Sequence, residues 1–111
     1  MRNNNEFIFH IISDNDWQMI KNESEYAPFS LNNEGFIHFS YQPQLKSVVD
    51  RFYSGNKNLL VLKIRVKKLV NTLKIEKVGD EGEFPHLFGK LNLDSVEGVY
   101  PLEKILENKN Y

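Results

Sequence analysis

The sequence predicts a single α+β domain: about six short strands in a mixed or split sheet, with two helices in the N-terminal half. Three observations carry that expectation. Apolar residues alternate with period two in several short runs, one segment shows a helical stripe instead, and glycine, proline and asparagine clusters separate the runs. A chain of 111 residues, 41% hydrophobic and 26% charged, has the length and composition of one soluble globular domain, residues 1–111.

The elements follow in order. Phe7 to Ile12 reads as an interior strand, because Phe7, Phe9 and Ile11 fall on one face and Ile8, His10 and Ile12 on the other. A short helix is expected from about Asp14 to Glu23, capped by Ser13 or Asp14, with Trp17 and Ile20 on one face. Tyr26 to Gly35 reads as a loop punctuated by Pro28, Asn32, Asn33 and Gly35. Phe36 to Phe39 is the second strand. A helix starts near Pro43, carries the stripe Leu45, Val48, Val49, Phe52, and stops at Gly55. That stripe assigns all four residues, Phe52 included, to core packing.

Asn58 to Val66 reads as a strong strand, with Leu60, Leu62, Ile64 and Val66 opposing Leu59, Val61, Lys63 and Arg65. Leu73 to Val78 is a weaker strand. Gly79 to Glu83 is a turn, Phe84 to Gly89 another apolar run, Leu93 to Val96 a helical turn, and Glu97 to Leu102 a last strand. Residues 103–111 are polar and read as a tail prone to fraying.

Composition excludes several functions. Fourteen basic residues against fifteen acidic ones give no pull toward nucleic acid or anionic membranes. The run Lys63 to Lys68 reads as a solvated strand end. With no cysteine there is no disulfide, thiol nucleophile or zinc–thiolate site. No apolar run is long enough to span a bilayer, and no secretory signal pattern is present, so a cytoplasmic location is expected. No G-x-S-x-G, G-x-G-x-x-G or P-loop occurs, and no closely spaced histidine pair marks a metal site, so no metal is expected.

The three histidines remain. His10 in "FIFHII", His38 in "GFIHFS" and His86 in "FPHLFG" all lie among large apolar residues. A buried imidazole must satisfy two ring nitrogens, and Leu or Phe would pack without that cost. The three are therefore expected to converge on one polar cleft. Ser40 shares a strand face with His38 and joins the candidate set.

Taken together, "FIFHI", Trp17, "EGFIHFS", "RFYSG", "LLVLKI" and the run from "FPHLFG" to "LNLDSV" closely resemble the bacterial domain-of-unknown-function family 952. That family is more distantly similar to the ADP-ribosyltransferase-like fold. The resemblance implies NAD or another ADP-ribose-like nucleotide as ligand. It places His10 at the position that holds a ribose, His38 at the aromatic that stacks on nicotinamide, and His86 where a glutamate stands. Glu76 and Glu83 are the nearby acids that could supply the missing carboxylate. Phe36, Phe39, Phe84 and Phe88 are candidate walls for a base. Three functions stay open. One is a nucleotide-binding module without turnover, one an active glycosyl or ADP-ribosyl transferase or glycohydrolase, and one an enzyme using histidine as general base on another substrate. In the last two, His86, Glu76 and Glu83 are the catalytic candidates; ligand binding falls to His10, His38, Ser40 and His86. The sequence leaves the oligomeric state open.

Overall fold

The computed structural model describes residues 6–107 and residue 111. Among these, eight strands and four helices follow the order β1 (Phe7–Ser13), α1 (Asp14–Ile20), β2 (Glu25–Tyr26), α2 (Phe29–Glu34), β3 (Ile37–His38), α3 (Leu45–Phe52), β4 (Leu59–Arg65), β5 (Thr72–Lys77), β6 (Glu83–Phe88), β7 (Leu91–Asn92), β8 (Val96–Pro101) and α4 (Leu102–Glu107). Single 3-10 turns precede α3, follow β4 and precede β8. The chain is a small α+β domain. Its sheet is split, as expected, but every strand pair among the described residues is antiparallel, so it is not mixed.

The split yields two three-stranded sheets, β1-β4-β8 and β3-β6-β5, and a two-stranded ribbon, β2-β7. Phe9 and Ser40 join the two sheets by exchanging a pair of backbone hydrogen bonds at 2.8 Å each. Both faces of β1 are covered, and the alternation sorts them into two cores. Ile8 and Ile12 enter a cluster with Leu62, Ile64, Ile37, Phe39 and Leu87, which fills the space between the two sheets. Phe9 and Ile11 enter a second cluster with Val61, Leu45, Leu102 and Ile105, which seats α3 and α4. β4 divides the same way, so the central sheet is buried on both faces.

Several further expectations change. The 26–35 loop contains α2, because Pro28 leads into its first turn and Gly35, at φ 89°, closes it with an N–H bond to the Leu31 carbonyl. The punctuation brackets a short helix instead of abolishing it. β2 and β7, two residues each, raise the strand count from six to eight. Helix α1 ends at Ile20, three residues early. Phe52 is not a packing residue: it is 65% exposed. It ends α3, and Tyr53, which leaves the helical conformation at φ −127°, packs on the second core instead.

The polar C-terminal stretch carries α4, with Leu102 and Ile105 buried. Residues 108–110 of that stretch lie outside the described residues.

Candidate functional site

The sheet β3-β6-β5 turns one face to the core and leaves the other open. Ile37, Pro85 and Leu87 are buried on the inner face. Alternation then sends His38 of β3, His86 of β6, and Lys74 and Glu76 of β5 to the outer face. The register pairs His38 directly with His86, and His86 with Lys74. Two histidines separated by much of the chain thus become cross-strand neighbours, their ring centres 5.5 Å apart and nearly perpendicular.

Each of these imidazoles holds a carboxylate. His86 Nδ1 donates to Glu76 Oε1 at 2.8 Å. His38 Nε2 donates to Glu34 Oε2 at 2.5 Å, across the junction from α2 to β3. The two differ in burial: the His86 side chain is 6% exposed and that of His38 53%. Phe36 accounts for the difference, because its ring stacks on His86 at 4.1 Å and meets His38 edge-on at 4.9 Å. Phe88 flanks Phe36 at 5.4 Å, and the Lys74 ammonium lies 5.0 Å from the Phe88 ring centre. The outer face therefore offers two imidazole–carboxylate pairs, an aromatic wall and one cation.

His10 does not share that face. It is buried between the sheets, edge-on to Tyr26 and tilted against Phe39. Its Nδ1–H donates to the His38 backbone carbonyl at 2.7 Å, and its Nε2 accepts from the Tyr26 hydroxyl at 3.1 Å. Both nitrogens are satisfied in the neutral ring. Burial pushes its pKa down to about 4, against a smaller raising effect of the His38 carbonyl. His10 thus touches the site only through the backbone of β3.

The remaining candidates separate in the same way. Ser40 is buried at the Phe9 bridge, where its backbone joins the sheets. Glu83 stands on the opposite strand parity from His86, and its carbonyl accepts from Gln44 Nε2 at 2.7 Å. Of the two acids weighed in the sequence, Glu76 is the one beside a histidine. Glu34, Lys74 and Tyr26 were missed. None of the three left a signal: a hairpin closed symmetrically about the Gly79–Glu83 turn would set Glu76 opposite His86, and the observed register, shifted by two residues, puts Lys74 there instead. Among the described residues, no three acids or histidines converge as a metal-binding group. Two surface hollows, one beside Phe29 and Lys90 and one beside Glu25 and Asp94, touch none of the histidines.

Fold and site together define a small α+β domain with a histidine–carboxylate face on an open sheet. The chain belongs to the DUF952 family, proteins of unknown function, whose profile matches residues 11–99. It is similar in structure to protein CC0527 of Caulobacter crescentus. One crystal structure of that protein superposes with a TM-score of 0.77 at 26% identity, covering 86% of this chain and 84% of the other. A double-mutant crystal structure gives 0.76 at 25% identity, and the solution structure 0.74 at 26%, with the same coverage. A search of curated proteins finds no match. No helix among the described residues is long and apolar enough to cross a membrane.

Proposed function

We infer that the outer face of β3-β6-β5 binds a small nucleotide-like ligand of the NAD or ADP-ribose type. The observation that carries the reading is the cross-strand pair His38–His86, with Glu76 on His86. Imidazoles and carboxylates both recognise ribose hydroxyls, one as donor or acceptor and the other as a strong acceptor. Lys74, opposite His86, is a suitable partner for a phosphate. The resemblance to ADP-ribosyltransferase-like proteins selects the nucleotide, and Glu76 supplies the carboxylate that His86 itself lacks. His10 is assigned a positioning role in this reading: its Nε2 is occupied by Tyr26, and its Nδ1–H holds the strand that carries His38.

Thermal unfolding with a nucleotide panel tests the reading. NAD and ADP-ribose are expected to raise the midpoint, His86→Ala to abolish the rise, and Glu83→Gln to leave it intact. If no nucleotide raises the midpoint at millimolar concentration, the reading is wrong. His38 then reports the mode of contact. Stacking predicts that His38→Phe keeps affinity while His38→Gln loses about 1–3 kcal/mol by calorimetry; the reverse order marks contact through the ring nitrogens.

A second reading rests on the His86–Glu76 pair. A mostly buried imidazole oriented by a carboxylate is the arrangement of a general base. Nicotinamide release from NAD separates turnover from binding. An acid–base role predicts that Glu76→Gln lowers the rate of release more than the affinity.

A further inference from the structure

We propose that β5 is a homodimer edge, pairing antiparallel with β5 of a second copy about a two-fold axis at Ile75. Among the described residues β5 pairs only with β6, which leaves its other edge unpaired in the sheet order β3-β6-β5. The direction of its backbone groups follows from the hairpin. Val78 N–H reaches the Gly82 carbonyl at 2.9 Å, so Val78 faces β6. Alternation then turns the N–H and C=O of Glu76, Lys74 and Thr72 toward β6, and those of Leu73, Ile75 and Lys77 outward. The far edge of β6 agrees with this phase: Pro85 lies between residues that face β5, and its carbonyl accepts from Phe39 N–H of the opposite side at 3.0 Å.

A dyad at Ile75 matches these outward groups. Ile75 exchanges both backbone bonds with its own copy, and Leu73 exchanges both with Lys77 of the second copy. The intervening pairs are then Lys74 against Glu76 of the second copy, twice over, at the close non-hydrogen-bonded positions where side chains approach best. Edge strands are normally guarded by unmatched lysines. Here Lys74 and Glu76 flank the dyad with opposite signs, so the edge complements itself. Ile75, 44% exposed, is covered by its own copy. The result is a continuous six-stranded sheet with both histidine faces on the same side, and Lys74 of one copy beside Glu76 of the other. The pairing stands independently of the nucleotide reading.

Sedimentation equilibrium of the full chain, paired with amide exchange, tests it without any ligand. The expected result is a monomer–dimer equilibrium in which the Leu73, Ile75 and Lys77 amides slow their exchange as concentration rises. The Lys74 and Glu76 amides, already in the β6 ladder, should not respond. Ile75→Pro deletes an outward N–H and should give a folded monomer. Lys74→Glu, on the exposed face, should weaken the dimer about tenfold or more by placing like charges opposite each other twice. A monomer at every concentration overturns the proposal. So does a dimer that Lys74→Glu leaves unchanged, or protection that fails to follow the odd-numbered residues of β5.

Discussion

Leu45→Ala is expected to lower the unfolding free energy by about 2–5 kcal/mol, and Phe52→Ala by less than about 0.5 kcal/mol. Both residues sit on the apolar stripe of α3, one at each end. Leu45 is 1% exposed and packs among Phe9, Ile11, Val61, Leu102 and Ile105, the residues that join α3 and α4 to the central sheet. Truncation there removes buried methyl groups and leaves a cavity walled by two helices and a sheet, none of which can collapse freely. Phe52 is 65% exposed at the last turn, so its removal uncovers little and empties nothing. Urea unfolding of both variants, read as midpoint at constant slope, checks the contrast. Equal losses would mean that α3 is seated the other way round.

That contrast also shows how far periodicity reaches. The pattern of β1 and β4 named the faces correctly, because a strand buried on both sides must be apolar on both and its neighbours leave no choice. In α3 the angular position of Phe52 is right for the core. What fails is the helix end: the chain leaves the helical conformation at Tyr53, and that ring, one residue on, packs on the core in place of Phe52. Sequence spacing records rotation about a helix axis and contains nothing about which residue leaves the helix and turns onto the core. The missed helix α2 has a different cause. Proline and glycine occur both in loops and at helix ends, and a six-residue helix has too few positions for a stripe to separate the two cases.

For the site, the three histidines were legible as polar groups in apolar surroundings, and two of them are paired by register. His10 shared the same local sequence character but faces inward, because the strand that carries it is covered on both sides whereas β3 and β6 are covered on one. The acids divide by parity. Glu76 and Glu83 both flank the β5–β6 turn, and only the alternation of each strand, once its phase is fixed by the bond from Val78 to Gly82, places Glu76 with His86. Tyr26 and Glu34 reach their histidines through tertiary packing and a helix–strand junction, which no local pattern encodes.

The other large expected effect is acid destabilisation through His10. Burial holds its pKa at about 4 in the folded chain, against an ordinary value of 6.5. Between those values the unfolded chain binds the proton more readily than the folded one, so stability falls as pH falls. The contribution is intact above pH 6.5, declines through the window, and is spent once pH passes below about 4. The full span corresponds to about 3 kcal/mol, of which about 2 kcal/mol is lost by about pH 5, before most carboxylates titrate. His10→Gln tests the assignment, because an amide can still donate to the His38 carbonyl and accept from Tyr26 but cannot take up a proton. Urea unfolding at about pH 7 and pH 5 should show the wild-type chain losing about 2 kcal/mol more than the variant over that interval. Equal losses in the two proteins would transfer the acid sensitivity to other groups. The same position carries a structural readout. If the Nδ1 bond is what fixes β3, the His10→Gln variant at neutral pH should keep the slow exchange of the Phe39 amide, whereas His10→Ala should lose it.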